Sequence, residues 1–330
     1  MMGAVLRKGI LVGVLVMLAP AVSAQDGRGD VVYVPTPQVV VDEMLRMAKV
    51  GPKDYLIDLG SGDGRIVITG AKKYGARGFG VDLDTYLLKI ANANAKKEGV
   101  ADRARFIEQN LFETDLSPAT VVTTYLLPEM NEQLIPKLFA LKPGTRVVVH
   151  DYAMGEWDAD DEKTLVVPEK VVGDPGRSYI FLFIVPARAA VRWESQVMTG
   201  GKPVSWQFSF EQKFQLVHGT VRAGDREIKV PQFRMEGDRI SFKVELPAAG
   251  KPRSNSTGQS NGASTTSKLE RGKPATYQFR GWVKGDVIEG TVTAGDGFGH
   301  RVEPWRAKQT ARGEVNLGAA PGVVVADALQ

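Results

Sequence analysis

An apolar run, Tyr55-Leu56-Ile57-Asp58-Leu59, leads into Gly60-Ser61-Gly62-Asp63-Gly64-Arg65, so glycines fall at alternate positions immediately before a helix-like segment. This pattern predicts a buried parallel strand, a tight turn and the start of a helix, the first unit of a doubly wound sheet. Glycine is required there because the backbone takes positive φ and because a ligand must approach it closely. In open α/β sheets that ligand sits at the carboxyl ends of the strands.

The turn excludes two common ligands. A dinucleotide fingerprint starting at Gly60 needs glycine or alanine at position 65, where Arg65 stands. A phosphate-cradling P-loop needs Gly-Lys-Ser/Thr, which is missing. Asp58 and Asp63 place negative charge beside the turn, which disfavours a phosphate and favours a cation. S-adenosylmethionine (SAM) is such a cation, with an ammonium, a sulfonium and no phosphate. The segment Asp58 to Gly64 resembles the first motif of the class I SAM-dependent methyltransferases.

The flanking chain fits that unit. Gln38 to Val50 carries Val40, Val41, Met44, Leu45 and Ala48 at helical spacing, with Thr36 expected as N-cap and Pro37 as first helical residue. Arg65–Tyr74 reads as the first crossover helix, and Gly78–Asp82 as a second strand ending in an acid. Asp84 is expected to cap the helix from Thr85 to Glu98. Arg105–Phe112, Thr120–Tyr125 and Thr145–Val149 read as three further strands with their exits, and a helix is expected to run to about Leu141. Leu165–Val167 and Tyr179–Val185 complete a seven-stranded sheet whose last pair is antiparallel.

Over roughly residues 31–186 the combination Tyr33-Val34-Pro35-Thr36-Pro37, Asp58 to Arg65, Gly80-Val81-Asp82-Leu83-Asp84 and Tyr125-Leu126-Leu127-Pro128 resembles a bacterial, exported group of class I methyltransferases. That group is similar to the lysine methyltransferase of the mitochondrial ATP synthase c-subunit. The resemblance implies an α/β, Rossmann-like methyltransferase sheet with SAM as cofactor. It implies that Asp58, Gly60, Ser61, Gly62 and Gly64 form the cofactor turn. Asp82, about 20 residues past that turn, stands where a carboxylate accepts from ribose hydroxyls. Tyr33 and Thr36 become lid residues, and Asn110 replaces the acidic residue usual beside the adenine amino group; its amide oxygen can still accept. The Asn/Asp-Pro-Pro-aromatic signature of amino-group methylation on adenine or glutamine is missing. Tyr125, His150 and Asp151, at strand exits, are candidates for the acceptor side. Among these His150 is the side chain that titrates nearest neutrality, which makes His150 and Tyr125 the candidate catalytic residues.

Beyond Arg188 the pattern changes. Trp206 to Phe210, Ile240 to Leu246 and Tyr277 to Phe279 alternate apolar and polar residues, and Gly-Asp pairs recur at 224, 237, 285 and 295. Half-buried strands joined by tight turns are expected, forming an all-β antiparallel barrel or sandwich over 190–308. Trp193, Trp206, Trp282 and Trp305 are expected in its core. Residues 249–267, rich in Ser, Asn, Gly and Thr, read as a disordered loop, and 309–330 as a tail.

Arg7 and Lys8, an apolar run from Ile10 to Ala19, and Ala21-Val22-Ser23-Ala24 read as a signal peptide over 1–24. The body is then periplasmic or secreted, or membrane-anchored where the segment stays uncleaved. SAM is made in the cytosol, so this placement is in tension with the cofactor. The chain has no cysteine, its three histidines lack metal-ligand spacing, and its basic residues are scattered around a net charge of +4. No metal and no nucleic-acid partner are expected. Two functions follow. One is methyl transfer from SAM to a protein or small-molecule acceptor, a protein lysine among them. The other is a non-catalytic exported binding protein that retains the fold.

Overall fold

The structure is a computed structural model that describes residues 32–247, 274–295 and 300–318. The expected leader and the loop at 249–267 lie outside the described residues. Among the described residues no helix is long and apolar enough to cross a membrane.

The first half is a seven-stranded sheet. Its strands are β1 (Tyr55–Leu59), β2 (Arg77–Asp82), β3 (Ala104–Glu108), β4 (Val121–Thr124), β5 (Arg146–His150), β6 (Asp161–Val166) and β7 (Arg177–Ile184). They lie in the order β3-β2-β1-β4-β5-β7-β6. The first five are parallel, and β7 runs antiparallel to both β5 and β6. The order reverses between β1 and β4, which opens a crevice beyond the carboxyl end of β1. That crevice holds the site.

Helices α1 (Gln38–Met47), α2 (Arg65–Tyr74) and α3 (Thr85–Lys97) cover one face. Val40, Val41, Met44 and Leu45 are fully buried there with Leu56 and Val148, as the helical spacing requires. The cap of α1 departs from expectation. Pro37 occupies the N-cap position and no side chain caps the helix. Thr36 points inward instead, its hydroxyl 3.3 Å from His150 Nδ1. Asp84 does cap α3, accepting from the Tyr86 and Leu87 amides.

The opposite face is covered differently. Helix α4 (Pro128–Phe139) packs over Ile57, Val122 and Val147. No helix follows β5; residues 151–160 cross the sheet without regular structure and bury Met154 and Trp157. Trp157 lies 5.8 Å from Phe139 and 5.3 Å from Phe183, and its remaining side meets Phe214, stacked at 5.6 Å with the rings 1° from parallel. Phe214 belongs to the second half of the chain.

That half is an eight-stranded antiparallel sheet. Its strands are β8 (Val191–Thr199), β9 (Lys202–Lys213), β10 (Leu216–Ala223), β11 (Arg226–Arg234), β12 (Arg239–Leu246), β13 (Ala275–Lys284), β14 (Val287–Ala294) and β15 (Arg301–Arg312). Each pairs with its neighbour in sequence except across the β11–β12 junction, and β15 returns to pair with β8. The result is an up-and-down ring, a barrel rather than a sandwich, open at one seam. Phe233 of β11 and Phe242 of β12 stack at 5.1 Å across that seam. Trp193, Trp206, Phe208, Phe279 and Trp305 fill the interior, so it is a packed core. Trp282 is the exception to the sequence reading. It is 47% exposed because the period of two along β13 turns Phe279, Gly281 and Val283 inward and Trp282 outward. Strand β15 also runs through Gln309 to Arg312, into the expected tail, and Asn316 then binds back to Gln212 and Phe214.

The barrel docks through the β9–β10 turn. Beside the Trp157–Phe214 stack, Arg234 pairs with Asp160 at 3.0 Å and Lys213 with Glu156 at 2.6 Å. Gln215 Nε2 donates to the Asp158 carbonyl at 2.5 Å. These ion pairs are partly exposed and contribute little; the buried aromatic contact carries the junction. Phe214→Ala should destabilise the protein by about 3–5 kcal/mol. In urea denaturation the loss should appear in the fluorescence of Trp157 as well as in the barrel's tryptophans.

Candidate active site

Gly60, Gly62 and Gly64 have φ of +77°, +52° and +82°, the left-handed values that the spacing anticipates. Space forbids side chains there as well. A Cβ on Gly62 would lie 2.2 Å from the Tyr33 ring, and one on Gly64 would lie 2.5 Å from the Phe106 ring. Most amides of the turn are already spent, on the neighbouring strand and within the turn. The Gly60 and Ser61 amides donate to the Val81 carbonyl, Gly64 to the Ser61 carbonyl and Arg65 to the Asp63 carboxylate. The Gly62 amide donates to Asp82 Oδ2 at 2.8 Å. Few amides are left to cradle a phosphate, in contrast to a nest that binds anions.

A cavity of about 240 Å³ opens over this turn. Tyr33, Thr36, Asp58, Gly60, Ser61, Asp82, Asn110 and Tyr125 all border it, as does an apolar group that includes Leu111, Phe112, Leu126 and Met130. Gly62 and Gly64 shape the turn beneath. His150 is not on the wall. It is fully buried behind Tyr125, with ring centroids 3.9 Å apart. Its Nδ1 faces Thr36 Oγ1 and its Nε2 faces Ser178 Oγ at 3.1 Å.

The charges sort differently from the sequence expectation. Asp63 is not free beside the turn. Arg65 grips both its oxygens, at 2.6 Å in the shortest contact, and holds it below the usual carboxylate range against its burial. The same guanidinium donates to the Thr36 carbonyl at 2.7 Å, which ties the segment before α1 to the turn. Asp63 and Asp84 line the cavity too, but Asp63 is paired with Arg65 and Asp84 caps α3, which leaves Asp58 and Asp82 for a ligand. Asp82 accepts from the Gly62 and Asp84 amides, one on each oxygen, leaving lone pairs for a diol. Asp58 is 2% exposed and accepts from Thr123 Oγ1 at 2.7 Å. Burial pushes it up to about 7, the Thr123 bond opposes the rise, and the charges of Asp82 and Asp63 add to it.

This corrects the expectation that His150 titrates near neutrality. Burial drives its imidazole down to about 4, with the Lys170 charge adding and Asp151 opposing. Asp58 is the group poised at neutral pH. Burial and then the Asp63 charge push Tyr33 up to about 12, and burial and then the Asp151 charge raise Tyr125 well above a normal phenol. Both phenols are neutral at physiological pH.

Three features test whether SAM suits this wall. The buried Ser61 Oγ has no hydrogen-bond partner. Asp58, Asp63, Asp82 and Asp84 line the cavity, and the cation among its lining residues, Arg65, is paired with Asp63. Asn110 Oδ1 accepts from the Phe112 amide at 3.0 Å and retains a second lone pair. A cationic nucleoside with hydroxyl and amino donors fits these groups, with Asp58 toward a cation, Asp82 toward the ribose and Asn110 toward the base.

Fold and site together define a class I SAM-dependent methyltransferase. The family model of the ANTKMT methyltransferase domain matches residues 58–161. A protein-lysine N-methyltransferase of Saccharolobus islandicus is 49% identical over 128 residues, covering 38% of this chain and 80% of that protein. The lysine N-methyltransferase of the ATP synthase c-subunit from Rattus norvegicus is 32% identical over 155 residues, covering 46% of this chain and 70% of that protein. Among solved structures, an RNA methyltransferase from Salinibacter ruber in complex with S-adenosyl-L-homocysteine is 48% identical, covers 47% of this chain and 95% of that chain, and has a TM-score of 0.42. The chain belongs to the class I SAM-dependent methyltransferase family that carries the ANTKMT domain, and it transfers a methyl group from SAM.

Two interactions escape a reading of the sequence: the Arg65 tether to Thr36, and a group of donors around Asp151. The latter includes Lys170, from the irregular 167–176 loop, which has no periodicity to mark it.

Two outcomes follow. Because the free protein holds a proton on Asp58 below about pH 7, a cationic ligand must displace it. SAM affinity should therefore rise with pH through about 7, by up to about tenfold per unit below that point, with proton release. Calorimetry at several pH values should show this in the wild type and lose it in Asp58→Asn. Gly62→Ala should cost about 1–2 kcal/mol from its backbone alone and weaken SAM binding further by displacing Tyr33.

Proposed function

We propose that this methyltransferase modifies the side-chain amine of a protein lysine. The observation that carries the reading is the 49% identity to a protein-lysine N-methyltransferase across 80% of that protein's length. The cavity is consistent with it. Leu111, Phe112, Leu126 and Met130 give the cavity an apolar side, and the neutral Tyr125 also borders it.

The residues of the chain perform the following parts. Asp82 and Asn110 orient the nucleoside by accepting hydrogen bonds. Asp58, ionised once a cation enters, balances positive charge. When bound, SAM supplies an electrophilic methyl group, and the lone pair of the acceptor nitrogen displaces S-adenosylhomocysteine from it. The apolar side of the cavity strips water from a lysine ammonium and so favours loss of its proton to solvent before transfer. His150 buttresses Tyr125 from behind, and its low affinity for protons makes it a positioning group in this reading.

We also propose that the protein acts outside the cytosol, from the leader-like residues 1–24. Cell fractionation with sequencing of the mature N-terminus tests this; a protein retained in the cytosol with Met1 intact overturns it.

The activity test uses SAM labelled in the methyl group, the purified protein and an extract from cells lacking it. Acid hydrolysis should yield labelled methyl-lysine. Asp82→Ala should lower SAM affinity by about tenfold or more, since hydrogen bonds to a charged group are lost. Label recovered in nucleic acid or small molecules, with none in lysine, overturns the lysine reading.

A further inference from the structure

Asp151 occupies an unusual place. It follows β5 directly, is a non-glycine residue with φ of +64°, and its side chain is only 4% exposed. Three donors converge on it, and a ring nitrogen of His150 lies close by. Tyr125 Oη donates to Oδ2 at 2.9 Å. Lys170 Nζ lies 2.7 Å from Oδ2 and 2.9 Å from Oδ1. The Tyr179 amide donates to Oδ1 at 3.2 Å, and His150 Nε2 lies 3.4 Å away. Lys170 is equally buried and also donates to the Arg177 carbonyl, so loop 167–176 is pinned by its own lysine. A strained backbone, a buried ion pair and a charged loop anchor are together an expensive arrangement for structure alone.

Of the groups in this cluster, Tyr125 reaches the cavity wall. A phenol has one proton and two lone pairs. The carboxylate takes the proton, since Asp151 can only accept. The oxygen of Tyr125 then keeps lone pairs for a further donor. We propose that Asp151 and Lys170 are positioning residues that turn the Tyr125 hydroxyl proton away from the cavity, so that its oxygen accepts a hydrogen bond from the acceptor and favours one with a hydrogen to donate, as an amine has. A nitrogen that donates one N–H to Tyr125 still has its lone pair for attack. An acceptor with no N–H or O–H to donate finds no partner there. Lys170 neutralises the carboxylate, which lets the cluster stay buried beside a bound nucleoside. This inference rests on the amine acceptor proposed above.

Sinefungin tests it, because that analogue carries a primary amine at the position of the transferred methyl group, whereas S-adenosylhomocysteine has nothing there. Calorimetry with both ligands gives a preference ratio that cancels changes common to the nucleoside. Tyr125→Phe keeps the ring on His150 and should lower sinefungin affinity by about tenfold while leaving S-adenosylhomocysteine within about twofold. Asp151→Asn suits the positive φ, since asparagine tolerates that region. With its amide oxygen kept by the Tyr179 amide and Lys170, its NH2 group faces Tyr125 and donates, which turns the hydroxyl proton inward and should reduce the same ratio. A ratio unchanged by Tyr125→Phe overturns the proposal, as does a ratio lost in Tyr125→Phe but fully kept in Asp151→Asn. If lysine labelling fails while the ratio behaves as expected, the hydroxyl orientation stands and the lysine acceptor falls.

Discussion

The Asp82 carboxylate holds the Gly62 amide at 2.8 Å, and much of the site depends on that bond. It joins the end of β2 to the turn after β1, so the two strand ends act as one rigid lip. With the Gly60 and Ser61 amides on the Val81 carbonyl, the turn is saturated by the neighbouring strand. A turn whose amides are spent in this way offers a ligand shape and nearby carboxylates rather than a nest of N–H donors. The preference for a cationic nucleoside over a phosphate follows from where the hydrogen bonds already go.

The surrounding charges refine that preference. Arg65 pairs with Asp63 and uses its remaining reach to fasten the segment at Thr36. Asp58 and Asp82 are then left for a ligand, and burial pushes Asp58 up to about 7. Burying a carboxyl without a cation is costly, and the protein meets that cost by holding a proton until a cation arrives. On the acceptor side the Asp151 ion pair serves a different end. It sets the direction of one hydroxyl while keeping its own charge out of the cavity.

The barrel is part of the methyltransferase core rather than an appendage. The chain after β5 forms no helix, and the sheet face there would be bare over Trp157. Phe214 supplies the missing cover from the β9–β10 turn. The junction is therefore a shared hydrophobic core flanked by exposed ion pairs, which makes relative movement of the two halves costly.

The local grammar of the chain is enough for the doubly wound sheet, its glycine turn, the acid at the end of β2 and the cap at Asp84. Each of these depends on residues close in sequence: hydrophobic period, positive-φ glycine and side-chain capping. The barrel's strands are legible for the same reason, but its closure is not, because pairing β8 with β15 joins segments more than a hundred residues apart. The near-neutral titrating group reads from sequence as His150 because a free histidine's properties say nothing of its burial. Tertiary structure puts His150 behind the wall, places Asp58 on it, and brings Lys170 from a featureless loop onto Asp151. Sequence alone thus determined which local units this protein builds and what ligand its first turn suits. Which side chains are desolvated, paired or aimed at the cavity was decided only in three dimensions, because desolvation and pairing depend on neighbours remote along the chain.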